Sequence, residues 1–275
     1  MFKIIDKKIL ADKLNIRITQ LEIKAEEISK KALAGQFVVL MVSENGERIP
    51  LTIVENNRKE GTITLIFQEV GLTTKLLGNL EKGDSVYALL GPLGNPTEIK
   101  KYGNVILIGG GVGIAEIYPV AKALKEKNNF IVAILGSKTK ELLILEDKIG
   151  NIVDKLYITT DDGSYGRKGF VTDVLEEILE RDFNLIYAVG PIPMMRRVSF
   201  IAKNFNVKTI VSLNTLMVDA TGMCGCCRVS VDGKTKFSCV DGPEFEADKI
   251  DWDELENRSK MYIDKESHIC KLYNL

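Results

Sequence analysis

Residues 104–113 read Asn-Val-Ile-Leu-Ile-Gly-Gly-Gly-Val-Gly, so an apolar run passes directly into a glycine-rich turn. A continuous apolar run of this length is typical of a strand buried in a parallel sheet. A helical pattern of apolar residues follows over residues 114–127. This order of strand, glycine turn and helix predicts the first unit of a doubly wound α/β domain.

The same alternation continues along the chain. Further apolar runs predict strands, and helical patterns separate most of them. The strands are predicted at residues 130–135, 155–159, 185–189 and 209–213, and the helices at residues 170–181 and 194–204. A series of this kind predicts a parallel sheet with helices on both faces, which binds ligands at the carboxyl ends of its strands.

Three loops that contain glycine follow predicted strands, at residues 109–113, 161–166 and 190–195. A glycine turn alone can serve only to allow tight packing between a strand and a helix. Several such loops at one edge of a parallel sheet favour a nucleotide site, because glycine lets the backbone approach a pyrophosphate. The predicted nucleotide contacts are Gly110, Gly111, Val112, Gly113, Asp161, Asp162, Gly190 and Pro191.

The N-terminal part of the chain has a different pattern, with short runs of β-branched residues separated by turn signals such as Asn45-Gly46. Strands are predicted at residues 14–22, 37–42, 48–55, 62–70 and 85–90, with one short helix near residues 73–80. Antiparallel strands at this spacing predict a small Greek-key barrel. The stretch 91–96, Gly-Pro-Leu-Gly-Asn-Pro, predicts a stiff turn that ends the barrel.

An array of cysteines near the C-terminus predicts a metal centre. Plant-type 2Fe–2S centres use Cys-x4-Cys-x2-Cys and a distant fourth Cys, and the array has this spacing with Asp in the first position. Asp carries the same negative charge as a thiolate, although its oxygen is a harder ligand. Cys226 is an alternative to either neighbouring cysteine, but it breaks the plant-type spacing. The predicted ligands are Asp219, Cys224, Cys227 and Cys239.

The insert between the last two cysteines of the array predicts how the array closes. Apolar and polar residues alternate around Asp232-Gly233, which is a strong signal for a two-residue hairpin. A turn at this place sets Cys227 opposite Ser238, so that Cys239 lies beside its partner. One short hairpin is therefore predicted to gather three thiols.

Two other interpretations of the cysteines are open. Zinc is the main competitor, because Cys-x2-Cys also suits structural zinc, although the usual second pair of cysteines is missing. A disulfide knot is less favoured, because five cysteines are an odd number and no signal peptide precedes them.

Length and charge limit the remaining function classes. We divide the 275 residues into a barrel at residues 1–98, an α/β domain at 99–214 and an iron–sulfur domain at 215–275. The net charge is −1 and the charged residues are mixed, so nothing indicates a nucleic-acid partner. No stretch approaches the roughly 18 apolar residues of a membrane span. We therefore expect a cytoplasmic protein, with no membrane partner, whose thiols stay reduced.

Together, the barrel, the Gly-Pro-Leu-Gly-x-Pro turn, the nucleotide domain and the cysteine array resemble the ferredoxin–NADP reductase superfamily. Within it, the chain resembles the electron-transfer subunits that carry a C-terminal 2Fe–2S cluster. These include subunits of type B dihydroorotate dehydrogenase and the small subunits of NADH-dependent reduced ferredoxin:NADP oxidoreductase, also described as sulfide dehydrogenase β subunits. The second type is the better match, because segment 219–225, Asp-Ala-Thr-Gly-Met-Cys-Gly, has Asp where dihydroorotate-type subunits normally have Cys.

The resemblance implies that FAD binds to the barrel. The superfamily uses an Arg-x-Tyr-Ser/Thr segment, which is similar to residues 48–52, Arg-Ile-Pro-Leu-Thr. Thr52 matches the hydroxyl that faces flavin N5, Leu51 replaces the stacking Tyr, and Arg48 stands one residue earlier than the family's Arg. Residues 70–74 resemble the segment that holds the pyrophosphate, although a hairpin and a capped helix explain them without a cofactor. The implied FAD contacts are Arg48, Pro50, Leu51, Thr52, Gln68, Val70, Gly71, Thr73 and Thr74.

The choice of nicotinamide nucleotide rests on two conflicting signals. Lys138 and Lys140 favour the 2′-phosphate of NADP(H), whereas Asp161 and Asp162 favour NAD(H). Both pairs are also explained as solvated loop charges. The resemblance favours NAD(H), because the small subunits of that type handle NAD(H) while their partner handles NADP(H). It also matches loop 190–195 to a Cys-Gly-x-x-x-Met loop near the nicotinamide, with Val189 in place of Cys.

The predicted sites combine into one function. NAD(P)H gives up two electrons as a hydride, whereas an iron–sulfur cluster passes one electron at a time, so a flavin belongs between them. We predict a flavoprotein oxidoreductase with FAD, a 2Fe–2S cluster and NAD(H), or else NADP(H), that needs no acid–base residue. Two alternatives stay open: a self-contained flavin reductase with a structural zinc, and a nucleotide-binding scaffold without flavin. The chain has no second cluster motif, which predicts a partner subunit. The resemblance implies a larger partner with a second flavin and 4Fe–4S clusters, in a complex that performs electron bifurcation.

Overall fold

The structure is a computed structural model that describes residues 2–179 and 182–272, with the side chains of Ser267 and Cys270 outside that description. The N-terminal part forms a nearly closed antiparallel barrel, as predicted. Its strands are β1 (Phe2–Lys13), β2 (Ile16–Lys24), β3 (Phe37–Met41), β4 (Arg48–Asn57), β5 (Thr62–Gln68), β6 (Ser85–Val86) and β7 (Ala88–Leu93). They lie in the order β6-β1-β2-β5-β4-β3-β7. Two short helices, α1 (Glu26–Lys31) and α2 (Leu72–Gly78), connect them.

The strand β1 is missing from the prediction. Its register against β2 shifts between Ile4 and Asp6 and again between Ile9 and Ala11, and such bulges break the alternation that identifies a strand in sequence. The strand β2 begins two residues later than predicted, because Leu14 and Asn15 form the turn with φ of 54° and 59°. Both errors come from the geometry of one hairpin.

The middle part forms the predicted parallel sheet with helices on both faces. Its strands are β8 (Asn104–Gly110), β9 (Phe130–Ser137), β10 (Lys155–Thr160), β11 (Arg167–Lys168), β12 (Leu185–Val189) and β13 (Thr209–Ser212). Its helices are α3 (Ile114–Lys125), α4 (Glu146–Gly150), α5 (Val171–Ile178) and α6 (Ile192–Asn204). The order β11-β10-β9-β8-β12-β13 places a switch point between β8 and β12, because the chain leaves β8 in one direction and returns on its other side.

The helix ends differ slightly from the prediction. The helix α6 begins at Ile192 rather than at residue 194, because proline is tolerated in the first helical turn and Pro193 lies there. The helix α3 ends at Lys125, just before Asn128 adopts a positive φ of 56°. For α5, the predicted end at residues 180 and 181 lies outside the described residues.

The C-terminal part is built onto the parallel sheet. It contains β14 (Arg228–Val231), β15 (Lys234–Phe237), β16 (Glu244–Glu246), α7 (Trp252–Ser259) and α8 (Ile263–Leu272). The strand β16 pairs antiparallel with β13, with Phe245 opposite Val211. Phe245 and Leu255 are buried in the same core as the residues of α5 and α6. The C-terminal part therefore shares a sheet and a core with the middle part, and the domain boundary at residue 214 stays a prediction.

Candidate functional site

The predicted hairpin is present in the C-terminal part. Val231 pairs with Lys234, and the turn residues Asp232 and Gly233 have φ of 52° and 68°. A two-residue turn with positive φ at both central positions matches the twist of the strands, and Asp-Gly adopts it readily. The Asp232-Gly233 turn therefore sets the pairing of all residues between β14 and β15.

This register brings two thiols together at the base of the hairpin. The N–H of Ser238 donates to the carbonyl oxygen of Cys227 at 3.1 Å, so these residues are opposite each other as predicted. The Sγ atoms of Cys227 and Cys239 lie 3.2 Å apart, and both side chains are buried. Two sulfurs on one tetrahedral metal at about 2.3 Å lie about 3.8 Å from each other. The pair is therefore placed to share one metal atom after a small adjustment.

The other two cysteines of the array differ in their surroundings. Cys224 is exposed, and a hydrogen bond from the backbone of Cys226 lowers the pKa of its thiol. Burial raises the pKa of the Cys226 thiol and raises the pKa of Cys239 to about 12. Thiolate is the form that binds metal, so Cys224 is a better ligand than Cys226. The plant-type spacing indicates the same choice. Cys239 would lose its proton only on coordination, which deprotonates a thiol outright.

Asp219 is held in place by the barrel. Its Oδ1 accepts a hydrogen bond from Nη1 of Arg48 at 3.0 Å, and the hydroxyl of Thr221 donates to its other oxygen. Arg48 begins β4, so this ion pair joins the cysteine loop to the barrel. The resemblance assigned Arg48 to FAD, whereas the structure places its guanidinium on the predicted metal ligand. Its contact with FAD stays a prediction.

The donor set has the chemistry of an iron–sulfur site. Among the described residues, no three His, Cys, Asp or Glu side chains are arranged to hold a metal ion. The hydroxyl of Ser238, next to Cys239, is fully buried and has no hydrogen-bond partner within residues 2–179 and 182–272. An unpaired buried hydroxyl costs about 1–3 kcal/mol, and a cluster sulfur is an acceptor that would relieve this cost. The assignment of the four ligands stays a prediction, and the unpaired hydroxyl of Ser238 supports it.

The predicted FAD residues lie on two adjacent segments of the barrel. Ile53 pairs with Leu65, which brings the first half of β4 alongside the end of β5 and the start of α2. A side chain at Gly71 would meet no atom within 4 Å, so the surface there is open. Nearby hydroxyls are already ordered. Thr74 accepts from the N–H of Gly71 at 3.0 Å, and Thr73 donates to Glu47 at 2.7 Å. An open surface lined by fixed hydroxyls fits a bound dinucleotide.

The glycine loops after β8 and β12 meet at the switch point of the sheet. A Cβ at Gly113 would lie 2.6 Å from the carbonyl oxygen of Val189, and one at Gly110 would lie 2.5 Å from the sulfur of Met194. Gly113 is therefore required for this close approach, because the atoms that it meets belong to the backbone, whereas the Met194 side chain can move aside at Gly110. Gly111, by contrast, has φ of +57° and faces open space, which leaves room for a ligand. The structure thus brings Gly110, Gly111, Val112, Gly113, Gly190 and Pro191 to one crevice.

The third predicted loop lies further along the same edge of the sheet. It follows β10, and β9 separates that strand from β8. Burial raises the pKa of Asp161, whereas the N–H of Ser164 lowers that of Asp162. The N–H of Asp162 donates to the carbonyl oxygen of Lys138 at 3.3 Å, so the acidic and basic signals for nucleotide choice lie side by side. The preference between NAD(H) and NADP(H) stays a prediction.

Thr52, a predicted FAD contact, belongs to a buried group of polar residues whose other members were missed by the sequence interpretation. The hydroxyl of Thr52 donates to Oε2 of Glu116 at 3.2 Å, and the hydroxyl of Tyr187 lies 3.0 Å from Oε1 of Glu116. The same hydroxyl lies 2.8 Å from Oε1 of Glu244, which also accepts from Thr97. Burial raises the pKa of both carboxyl groups, that of Glu244 to about 7. The sequence signal for this group is Tyr187, a residue with a polar hydroxyl inside the otherwise apolar run of β12.

Comparison with known proteins identifies the parts of the chain. A family model of the iron–sulfur cluster binding domain of dihydroorotate dehydrogenase B matches residues 214–251. A model of the oxidoreductase NAD-binding domain matches residues 107–199. These ranges contain the cysteine array and the glycine loops.

Relatives of similar length extend the likeness to the whole chain. The electron transfer subunit homolog of dihydroorotate dehydrogenase B (NAD(+)) from Thermotoga maritima is 50% identical over 89% of this chain and 86% of the relative. A solved structure of NADH-dependent reduced ferredoxin–NADP oxidoreductase, from a study of flavin-based electron bifurcation, is 45% identical with a TM-score of 0.93. That match covers 100% of this chain and 98% of the other. A ferredoxin–NADP+ reductase from Plasmodium falciparum is 17% identical and shares the fold, with a TM-score of 0.59 over 74% of this chain and 88% of that chain.

The matched domains define an oxidoreductase with an NAD-binding domain and an iron–sulfur domain, on a fold that it shares with ferredoxin–NADP+ reductase. The chain belongs to the family of dihydroorotate dehydrogenase B electron-transfer subunits and their homologues. The predicted family, enzyme class and cofactors, FAD, a 2Fe–2S cluster and NAD(H), are confirmed. The relatives are subunits of larger enzymes, in agreement with the predicted need for a partner. None of the described helices combines the length and the apolar character that a membrane span requires.

Proposed function

We propose that this chain is the NAD(H)-binding electron-transfer subunit of an NADH-dependent reduced ferredoxin–NADP oxidoreductase. The observation that carries the proposal is the match over the whole chain to a structure of that enzyme, at 45% identity and a TM-score of 0.93. The Asp219-x4-Cys224-x2-Cys227 spacing supports the same assignment, because it was the feature that separated this type from dihydroorotate-type subunits.

Each cofactor has its own residues in the proposal. The crevice between the loops after β8 and β12 holds the nicotinamide nucleotide. The open surface around Thr52 and Gly71 holds FAD, which supplies the exchange between a two-electron hydride and single electrons. Asp219, Cys224, Cys227 and Cys239 hold the 2Fe–2S cluster. The ion pair between Arg48 and Asp219 joins the loop that carries the cluster to the barrel that carries FAD.

The partner in the proposal is a larger subunit with a second flavin and 4Fe–4S clusters, which receives electrons from the 2Fe–2S cluster and handles NADP(H). We place the complex in the cytoplasm, because a reducing compartment keeps cysteines available as ligands of a cluster. We also propose that the complex couples NADH, NADP and ferredoxin by electron bifurcation.

The test is anaerobic purification of the native complex from its own cells. We expect FAD and about two iron and two sulfide per copy of this chain, with a larger subunit containing further iron and flavin. The complex should reduce NADP with NADH and reduced ferredoxin together, and not with NADH alone. Purification of the chain alone, or with zinc in place of iron, would contradict the proposal.

The second candidate is the electron-transfer subunit of dihydroorotate dehydrogenase B. It is favoured by the match of residues 214–251 to the iron–sulfur domain of that enzyme and by the 50% identity to the Thermotoga maritima homolog. The same native complex separates the two candidates. Reduction of NAD by dihydroorotate would favour the second, and its absence alongside ferredoxin-dependent NADP reduction would favour the first.

A further inference from the structure

A hydrogen-bonded chain of side chains crosses the junction of all three parts of the molecule. It runs from Thr52 on β4 to Glu116 on α3, Tyr187 on β12 and Glu244 on β16. Thr97, after the barrel, donates to the far end of the chain at Glu244. Tyr187 is 1% exposed and Glu116 is 8% exposed, so the centre of the chain is shielded from water.

If both carboxyl groups are ionised, this row of hydrogen-bonded side chains has one proton fewer than its contacts require. The Tyr187 hydroxyl has one proton but lies within hydrogen-bond distance of both Glu116, at 3.0 Å, and Glu244, at 2.8 Å. It can donate to only one of them. The other carboxyl group must then donate to the tyrosine oxygen, or two buried oxygen lone pairs would face each other. The contacts are therefore all satisfied only when the two glutamates hold one additional proton between them.

No cation replaces that proton. Among the described residues, neither Glu116 nor Glu244 forms an ion pair with Lys, Arg or His. The groups that face Glu116 are the hydroxyls of Thr52, Tyr187 and Ser212, with the carboxyl group of Glu244 beyond them. A buried charge without a cationic partner is costly, which favours the protonated form of one glutamate.

The additional proton has two equivalent positions. Either Glu116 donates to Tyr187 while Tyr187 donates to Glu244, or both hydrogen bonds run in the opposite direction. Conversion of one arrangement into the other moves a proton from one carboxyl group to the other through the tyrosine oxygen, without movement of any heavy atom. The arrangement that lets the two glutamates share a proton therefore also lets a proton pass from one to the other through Tyr187.

The far end of the chain opens to solvent. Tyr187 and Glu244 line a cavity of about 340 Å³ between the barrel end and the edge of the sheet. Other titratable side chains on its wall are Glu98, Tyr102, Lys208, Glu246 and Lys249. Tyr102 bonds to Glu98, and both lysines lie near Glu246, so these groups are paired among themselves. Glu244 is thus the member of the chain that can exchange a proton with water in the cavity.

We propose that Glu116, Tyr187 and Glu244 form a proton relay that connects Thr52 with this cavity. The inference rests on the proposed function, which places Thr52 at the flavin. A bound flavin that accepted a hydride would gain two electrons and one proton, and single-electron transfer to a bound cluster would leave that proton behind. In the relay, Thr52 would take up one proton on its flavin side and give its own to Glu116. Glu116 gives one to Tyr187, Tyr187 gives one to Glu244, and Glu244 releases one into the cavity, so each group ends with as many protons as it began with.

The first test detects the shared proton without any cofactor. Infrared spectra of the chain at neutral pH should show the carbonyl stretch of one protonated carboxyl group. The band should be lost in Glu116→Gln and in Glu244→Gln, which keep the side-chain size and can still bond to Tyr187. The control Glu246→Gln should retain the band. If the wild-type protein shows no such band, or if neither variant removes it, the relay is overturned.

The second test measures proton release from the holoprotein. Protein reduced by NADH is mixed with ferricyanide, a one-electron oxidant, in weakly buffered solution with a pH indicator. Tyr187→Phe should slow proton release at least tenfold, whereas Tyr102→Phe, on the wall of the same cavity, should leave it unchanged. Equal release rates in the wild-type and Tyr187→Phe proteins would contradict the relay. If Tyr187→Phe does not fold, Glu244→Gln is measured in the same way.

The two tests also separate this inference from the proposed function. If the protein binds no flavin but shows the infrared band, the proposed function and the link between the relay and flavin are overturned. The shared proton between Glu116 and Glu244 would still be supported. A chain that binds flavin and is reduced by NADH, but lacks the band, would overturn the relay alone.

Discussion

Gly113 shows how strictly one residue can be determined by its neighbours. Its φ is within the ordinary range, so backbone freedom does not explain the glycine. The cause is the neighbouring loop, because a Cβ would lie 2.6 Å from the carbonyl oxygen of Val189 and 3.0 Å from Cα of Gly190. Both are backbone atoms, which cannot rotate away as the end of a side chain can.

We therefore expect Gly113→Ala to lower the free energy of unfolding by about 1–3 kcal/mol, which is typical of overpacking. The same change should weaken nucleotide binding, because the two loops form the proposed crevice. In protein freed of FAD, Gly71→Ala is the matched control, since its Cβ would meet no atom within 4 Å. Its unfolding free energy should stay within about 0.5 kcal/mol of wild type. Urea unfolding measures both, and equal losses in the two variants would show that the loop contact is not the cause.

Glu244 should make the stability of the protein depend on pH. Burial raises its pKa from 4.5 to about 7 in the folded protein. The folded state therefore holds a proton that the unfolded state releases, and this stabilisation is complete below pH 4.5 and is lost as the pH rises through 7. The loss amounts to about 3 kcal/mol at most, from the size of the pKa shift.

Unfolding measured across this pH range tests the effect. Stability should fall with rising pH in the wild type and should fall much less in Glu244→Gln. Glu246→Gln is the control from the same strand, because Lys249 lowers the pKa of Glu246 instead of raising it. A wild-type protein whose stability does not change between pH 4.5 and 7 would contradict the buried position of Glu244.

Among the elements, the cysteine hairpin is the one that local sequence determined most completely. Asp232 and Gly233 suffice to fix the turn, and the turn fixes which residues face each other down to Cys227 and Ser238. The strands β1 and β16 were missed for the opposite reason. Bulges interrupt the pattern of β1, and β16 is only three residues long and is held by its pairing with β13. Such contacts between distant segments leave little trace in a local pattern.

The hairpin also makes a prediction about the cluster. Replacing Cys224, Cys227 or Cys239 by Ala should remove most of the iron and leave the flavin, because these thiols are the proposed ligands. Cys226→Ala should keep about two iron per chain, since burial disfavours its thiolate and it breaks the plant-type spacing. Iron and sulfide analysis with a visible spectrum measures the outcome. If Cys226→Ala is the variant that loses iron, the ligand assignment is wrong.

At the scale of the whole molecule, the three parts meet at the cluster loop and at the buried relay. Arg48 of the barrel pairs with Asp219, and Thr52 of the barrel bonds to Glu116 on α3 of the middle part. The sequence predicted the barrel, the sheet and the cysteine array separately, because each has its own periodicity or spacing. It did not predict the contacts between them, because Glu116, Tyr187 and Glu244 are far apart in sequence and belong to no common motif.

The central claim is that electrons pass from NADH through FAD to the cluster. Anaerobic stopped-flow mixing of the holoprotein with NADH, followed at flavin and iron–sulfur wavelengths, tests this order most directly. We expect the flavin absorbance to fall first and the cluster absorbance to fall second, and we expect protein stripped of FAD to show no cluster reduction. Cluster reduction by NADH in the protein without FAD, or bleaching of the flavin that never reaches the cluster, would contradict the claim.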